Sequence, residues 1–156
     1  VMSAGKIRQV AATSEIYDRP DHVFVAGFIG SPPMNLLRGR LEGPGEAPVF
    51  ARGGLRVAVG AVPGVERRDA GSEIVLGVRP ETIRFAAAAG AAIGGRALLV
   101  EPRGPRSVVT VDVAGTILKV LAPTIGCPRE NDDVGLTLDA KSLVLFSGET
   151  GRRFAA

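Results

Sequence analysis

The chain has 156 residues, of which 46% are hydrophobic and 4% aromatic, and its formal net charge is +3 at pH 7. This length suits one ordinary domain with its own core, which must be built from Val, Leu, Ile and Ala because Trp is absent. The small charge and the lack of a dense basic run argue against a phosphate-tracking surface, and the single cysteine excludes an internal disulfide and cysteine zinc sites.

No apolar run approaches the roughly 18 residues of a membrane span. The first residues, Val1 to Gly5, also lack the charged-then-apolar pattern of a signal peptide. We therefore expect a cytoplasmic location.

The first 33 residues predict two short helices. Thr13 or Ser14 is expected to cap the first, with Glu15 near its positive end and Pro20 ending it. Asp21 is expected to cap the second.

The second helix carries an apolar face. Phe24 and Phe28 lie four residues apart, as do Val25 and Ile29, before Gly30 and two prolines end the helix. We expect the Phe24/Phe28 face to pack on the rest of the chain or to be exchanged with a second copy.

From Asn35 onward the hydrophobic period changes to two, which predicts half-buried strands of a sandwich or barrel. The clearest alternation covers residues 55–59, 74–78, 109–113 and 134–138. Further strand candidates are residues 98–100, 117–118, 120–121 and 143–146. Turns are expected between strands at 43–45, 53–54, 63–64, 94–95 and 104–105, and residues 86–92 are interpreted as a loop.

Candidate catalytic residues are few. Residues 135–142 approach a phosphate-binding loop, but Ala140 replaces a required glycine and the alternation is that of a strand, so a strand running into a turn is favoured. His22, the only histidine, is assigned a capping or solvated role rather than a catalytic one. Cys127 is interpreted as an inert thiol near a turn, and the acidic residues at 130, 132 and 133 as a solvated loop.

Two short segments combine arginine, proline and glutamate: Arg79-Pro80-Glu81 and Glu101-Pro102-Arg103, the latter followed by Gly104. An arginine near a carboxylate can form a bidentate ion pair that fixes a loop, or it can present charge to a partner. From spacing alone the structural role is favoured, with presentation of charge to a partner as the alternative.

Several segments in this order resemble the rear part of the ATP-binding subunits of carbohydrate-uptake ABC importers, the maltose and glycerol-phosphate class. They are residues 5–9, Glu15 to Tyr17, Pro20, residues 24–30, Pro33 to Asn35, Gly77 to Glu81, Glu101 to Gly104, and Phe146 followed by Thr150-Gly151. The chain departs from that family at Ala11-Ala12-Thr13, where Gly-Thr-Pro is usual, and at Ser147-Gly148, where an aspartate commonly follows the phenylalanine.

The resemblance implies a mainly β fold: an OB-like barrel with extra strands, of the transport-associated (TOBE) type, preceded by one or two short helices left from the ATPase domain. Residues 1–33 would be the end of the ATPase domain and residues 34–156 the OB-like regulatory and dimerisation domain. The motif residues expected to build an interface are Asn35, Gly77, Arg79, Pro80, Glu81, Glu101, Arg103 and Gly104.

The resemblance also implies a mechanical role. Such domains pair and hold two ATPase subunits together, and some of them receive regulatory proteins. The expected partners are therefore a second copy, the upstream ATPase domain and the membrane subunits, with a regulator as a further candidate. The phosphate-binding loop, signature motif and switch histidine lie upstream in the family. We therefore expect no ATP hydrolysis and no cofactor in this chain, with ATP and Mg²⁺ bound by the full-length protein on the inner face of the membrane.

Two other functions compete with this interpretation. Related domains in other importers bind oxyanions such as molybdate, and Gly-rich turns with Arg79 or Arg103 would suit that purpose. Binding of single-stranded nucleic acid is disfavoured because one Tyr, no Trp and core-bound Phe residues provide no stacking platform.

Overall fold

The computed structural model describes residues 1–43, 47–67, 70–89 and 91–154. It contains two short helices, α1 (Thr13–Asp18) and α2 (Val23–Phe28), and 3-10 helices at Val65–Arg67, Pro80–Thr82 and Ala140–Ser142. The strands are β1 (Met2–Ser3), β2 (Lys6–Ile7), β3 (Asn35–Glu42), β4 (Val49–Arg52), β5 (Leu55–Ala58), β6 (Glu73–Val78), β7 (Ile83–Ala86), β8 (Ile93–Arg103), β9 (Arg106–Val113), β10 (Thr116–Pro123), β11 (Asp133–Leu138) and β12 (Val144–Ser147).

The body consists of two five-stranded antiparallel sheets. The strand order is β12-β6-β3-β4-β5 in the first sheet and β10-β9-β8-β11-β7 in the second, while β1 and β2 form a separate hairpin. The predicted mainly β fold with a short helical lead-in is thus confirmed. The two five-stranded sheets are called the β body below, and residues 1–33, which contain α1 and α2, are called the lead-in. Across the described ranges, no helix combines the length and the hydropathy that a membrane crossing requires.

The main core lies between the two sheets and is aliphatic, as the composition requires. In β5, Leu55 and Val57 are buried while Arg56 and Ala58 are exposed, which confirms the predicted alternation. The same holds for β9, where Val109, Val111 and Val113 all enter the main core.

Strand β6 is buried on both faces. Ile74, Leu76 and Val78 enter the main core, whereas Val75 packs with Ala26 of α2 in a second, smaller cluster. The remaining buried members of that cluster are Met34 and Phe146. The sequence predicted only one buried face, because the cover for the other comes from a helix distant in sequence.

The capping assignments at both helices need correction. The residue before α1 is Ala12, which provides no side-chain cap, while Thr13 is already helical. At α2 the cap is His22 rather than Asp21: its Nδ1 accepts a 3.0 Å hydrogen bond from the Phe24 amide. The alternative of a capping role for His22 is therefore confirmed.

The Phe24/Phe28 face does not pack on the β body. The two rings stack on each other with centroids 5.9 Å apart, and Phe28 is 65% exposed. Val25 and Ala26 are instead each 0% exposed, and Ala26 packs with Val75 of β6. Packing on the rest of the chain, the first of the two predicted alternatives, is wrong because the six-residue helix turns a different face inward, while exchange with a second copy stays a prediction. The assumption that all Phe residues are core-bound fails as well.

Several predicted turns and strands also have different bounds. Gly94 and Gly95 lie inside β8 rather than between strands, and residues 117–118 and 120–121 belong to one strand, β10. A Cβ on Gly95 would come within 2.8 Å of Asp112 O and of Val111, which explains a glycine within a strand. Ala86 ends β7, residues 87–89 form no strand, and Pro44, Gly45 and Gly90 lie outside the described residues.

The carboxyl-terminal residues hold the lead-in against the β body. The Val23 amide donates to Gly151 O, and the Arg153 amide donates to Asp21 O, both at 2.9 Å. Phe154 is buried in the main core. The last described residues thus lie against the start of α2.

Candidate functional site

Arg79 occupies the junction between the lead-in and the β body. It follows β6 directly and is only 5% exposed. Its two terminal nitrogens donate to backbone carbonyls of the lead-in: Nη1 to Ile29 O at 2.6 Å and Nη2 to Tyr17 O at 2.7 Å. One side chain therefore ties the ends of both short helices to the end of β6.

Tyr17 completes this junction. Its ring lies 3.9 Å from the guanidinium carbon of Arg79, in cation–π geometry, and its hydroxyl donates a hydrogen bond to Glu81 Oε1. The predicted direct pairing of Arg79 with Glu81 is thus replaced by a link through the tyrosine ring. The predicted structural role of this segment agrees with the geometry, but its bidentate ion pair does not form.

Burial sets the protonation properties of the junction. Burial lowers the pKa of the Arg79 guanidinium, an effect opposed by the negative charge that Tyr17 acquires on ionisation and by Glu81 and Asp18. Burial also raises the pKa of the Tyr17 hydroxyl, and its hydrogen bond to Glu81 and the charge of Glu81 raise it further. The neutral tyrosine is therefore the favoured form.

Pro80 and Gly77 shape the backbone around Arg79. Pro80 is buried at the start of the 3-10 helix, where its missing amide costs nothing and its fixed φ suits the turn. A Cβ on Gly77 would lie 2.5 Å from Met34 Sδ and 3.1 Å from the Phe146 ring. The absence of a side chain at Gly77 therefore allows close packing around β6.

Asn35 joins the two sheets. Its Nδ2 donates to Val78 O at 3.1 Å and to Lys119 O at 2.9 Å, while its Oδ1 accepts from the Lys119 amide at 2.7 Å. Lys119 lies on β10, an edge strand of the second sheet. The Asn35 amide thus satisfies backbone groups that an edge strand otherwise leaves unpaired.

Glu101 and Arg103 form an exposed network at the far end of β8. Their closest atoms are 3.8 Å apart, and Lys119 Nζ lies 3.4 Å from Glu101 Oε2 and 2.8 Å from Thr110 Oγ1. The side chains of Glu101 and Arg103 are 37% and 50% exposed. Gly104 has a φ of +72° in the β8–β9 turn, so the predicted turn is confirmed.

The structure brings the sequence-predicted residues into two groups, one around Arg79 and one around Glu101. Lys119 links them, since its backbone contacts Asn35 and its side chain contacts Glu101. Sequence reasoning missed Lys119 and Tyr17 as site residues. Their signals were weak: Lys119 is one of three lysines and lies between two predicted strand segments, and Tyr17 is the only tyrosine of the chain.

The remaining candidates show no catalytic arrangement. Residues 135–142 form β11 followed by a 3-10 helix, as favoured over a phosphate loop. Cys127 is half-buried, and burial raises the pKa of its thiol against the opposing effect of a bond to Ser107. Glu130 and Asp132 accept backbone hydrogen bonds in exposed turns, and no cluster of metal-ligating side chains occurs within the described ranges.

A cavity of about 440 Å³ opens beside Arg79. Its walls come from the end of α1, the 3-10 helix that follows Arg79, the start of β12 and the carboxyl-terminal residues. Four cationic side chains line it: Arg19, Arg79, Lys141 and Arg153.

The fold and these contacts define a β domain of two antiparallel sheets that is clamped to a short helical lead-in. Comparison with known families matches residues 30–83 to the MalK OB fold domain and residues 76–146 to the TOBE domain. A crystal structure of the cytoplasmic molybdate-binding protein ModG with molybdate bound shares the fold, with a TM-score of 0.53 and 16% identity over 71% of this chain and 94% of that one.

The curated relatives extend over nearly the whole chain. An sn-glycerol-3-phosphate import ATP-binding protein of Cereibacter sphaeroides is 42% identical over 98% of this chain, and one of Burkholderia ambifaria is 36% identical over 98%. A sulfoquinovosyl glycerol transport ATP-binding protein of Agrobacterium fabrum is 30% identical over 97%. The chain spans 41%, 42% and 42% of these relatives. It belongs to the MalK-type OB and TOBE domain family of ABC importer ATP-binding subunits.

Proposed function

We propose that this chain is the regulatory and dimerisation part of the ATP-binding subunit of an ABC importer for sugars or related solutes. The observation that carries the proposal is the 42% identity to an import ATP-binding protein over 98% of the chain, through both the lead-in and the β body. In this proposal residues 1–33 are the end of the ATPase domain and residues 34–156 the OB-like domain.

The Arg79 junction supports a mechanical role. Its two charge-assisted hydrogen bonds reach carbonyls at Tyr17 and Ile29, and the Arg79 side chain that donates them is buried. Because these bonds join the lead-in to the end of β6, a displacement of the ATPase side would move the β body with it. No covalent chemistry in this chain is needed for that role.

An exposed apolar surface supports pairing with a second copy. Leu99 and Ile117 are 45% and 50% exposed. Both lie on the outer face of the second sheet. Leu99 pairs with Thr110, which pairs with Lys119, and paired residues share a face. Ile117 is two residues before Lys119 on the same strand, so it shares that face as well. A contact between two such faces would keep two ATPase domains at high effective concentration.

The wider assembly follows from the same proposal. ATP and Mg²⁺ would be bound by an ATPase domain outside these 156 residues. The subunit would lie on the inner face of the membrane through contact with the importer's membrane subunits, and its β body would offer a surface to a regulatory protein.

Light scattering of the 156-residue chain over a range of concentrations tests the pairing. We expect a reversible dimer that Ile117→Glu weakens at least about tenfold, because a charge is then buried in an apolar contact. Ile125→Glu is the matched control, since Ile125 is 95% exposed and precedes the Gly126 turn, outside the strands.

A monomer at all concentrations, or equal effects of the two substitutions, would contradict the pairing surface. An assay of ATP turnover tests the assignment of chemistry. Turnover by this chain that is lost on changing one of its own side chains would refute the proposal as a whole.

A further inference from the structure

The cavity beside Arg79 carries an excess of positive charge. Arg19, Arg79, Lys141 and Arg153 line it together with only two carboxylates, Asp18 and Glu81. These four cations surround one concave space. They differ in this from the cations that form ion pairs on the surface.

The carboxylates are already engaged, whereas most of the cations are not. Glu81 accepts the Tyr17 hydroxyl, and both Glu81 and Asp18 act on the buried charge of Arg79. Arg19, Lys141 and Arg153 make no side-chain hydrogen bond or ion pair within residues 1–43, 47–67, 70–89 and 91–154. Arg79 Nε is also buried without a partner there. These donors are free to serve a ligand.

The rest of the lining is apolar with two hydroxyl groups. Met34, Leu143, Leu145 and Phe154 contribute buried hydrophobic surface, and Thr82 and Ser142 contribute hydroxyls that donate to backbone carbonyls but can still accept. A volume of about 440 Å³ suits a small molecule. Free cations beside an apolar floor match an anionic head attached to an apolar body.

We propose that this cavity binds a small organic anion with a phosphate-like oxyanion head, bound non-covalently. The head would contact Arg153, Lys141 and Arg19, while the body would lie on the apolar floor. Because Tyr17 to Arg19 form one wall and the β body forms the others, an occupied cavity would tighten the attachment of the lead-in. This inference goes beyond the importer role proposed above and does not depend on it.

Titration calorimetry of the 156-residue chain with phenyl phosphate tests the site, with benzyl alcohol as the neutral comparison and inorganic phosphate as the head alone. We expect saturable one-to-one binding of phenyl phosphate, weaker binding of inorganic phosphate and none of benzyl alcohol. Absence of saturable phenyl phosphate binding at millimolar concentration would overturn the proposal.

Single-charge variants locate the binding. Arg153→Gln and Lys141→Gln are each expected to weaken phenyl phosphate binding about tenfold, the usual effect of losing one charge-assisted hydrogen bond. Arg152→Gln removes the same charge from a neighbouring residue that does not line the cavity, and should leave the affinity unchanged. Equal losses of affinity for the variants at positions 152 and 153 would show that phenyl phosphate is held only by general electrostatic attraction. That result would overturn the proposed site. Light scattering of the same variants reports separately on dimerisation.

Discussion

The same three residue types occur in opposite order in two segments of this protein, with opposite results. In Arg79-Pro80-Glu81, the arginine is 5% exposed and its bonds go to backbone carbonyls. In Glu101-Pro102-Arg103, the arginine side chain is 50% exposed and its partner is a carboxylate 3.8 Å away. The comparison shows that composition and spacing leave the role of an arginine undecided.

The difference lies in what surrounds each segment. Pro80 is buried and begins a 3-10 helix, so the chain turns directly after Arg79 beside the lead-in. Pro102 remains inside β8, opposite Ser107, so Glu101 and Arg103 lie two apart on one strand and face solvent. Buried charge must be satisfied, whereas exposed ion pairs are screened and contribute little.

The largest expected effect is at Arg79. Arg79→Ala would leave the carbonyls of Ile29 and Tyr17 without their donors and remove the stacking on the tyrosine, so we expect a loss of about 3 kcal/mol in the free energy of unfolding. Urea denaturation measures this loss. Arg103→Ala is the matched control, with an expected effect within about 0.5 kcal/mol; similar losses for the two variants would remove the distinction between the segments.

A smaller effect is expected at Asn35, which joins the two regions. Asn35→Ala removes the hydrogen bonds to Val78 O and to both backbone groups of Lys119, and should cost about 2 kcal/mol. Amide hydrogen exchange provides a local measurement, because the Lys119 amide should lose protection. Unchanged exchange at Lys119 would show that the edge of β10 does not depend on this side chain.

The pH dependence of the first region should depend on Tyr17. Burial and the bond to Glu81 raise the pKa of Tyr17 in the folded state above its unfolded value of 10.0. The contribution of Tyr17 to the free energy of unfolding is therefore fully present below pH 10.0, and it is lost as the pH rises through the pKa of the folded state. The near-ultraviolet absorbance of tyrosinate reports this residue alone, since the chain has one tyrosine. Tyr17→Phe should cost about 1 kcal/mol at neutral pH and remove this part of the alkaline loss. An ordinary tyrosine titration would contradict the buried junction.

The smallest effect is expected at Glu101. Glu101→Gln should change stability by less than about 0.5 kcal/mol, and the change should shrink further at high salt because both ion pairs are exposed. Urea denaturation at low and high salt tests this. A loss above about 1 kcal/mol in the free energy of unfolding that persists at high salt would mean that the Glu101 segment is as shielded from water as the Arg79 segment.

The strands and the importer resemblance were readable from the sequence, but the contacts at the site were not. Alternation at Leu55 and Val57 and at Val109 and Val111 predicted strands correctly, because the period-two pattern is local. The order of motif residues from Asn35 to Gly104 pointed to the family. The bidentate pair at Arg79 was wrong, because its real partners are carbonyls about 50 and 62 residues away in the chain.

The lead-in shows the same limit. Helices over residues 13–18 and 23–28 agree with the predicted positions, yet the face that α2 buries was misjudged. Phe24 and Phe28 are the larger hydrophobic residues, but Ala26 packs with Val75 and Phe146, and Val25 is fully buried. A six-residue helix offers too few turns for its periodicity to choose between two apolar faces.

The sequence by itself determined a mainly β chain with an aliphatic core, short turns and the order of motifs that marks its family, since these depend on neighbours along the chain. Only the tertiary structure decided that Arg79 is a buried clamp, that Asn35 joins two sheets through Lys119, and that four cations surround one cavity. Those features arise from groups distant in sequence that folding brings together and removes from water, so they depend on the environment each residue acquires.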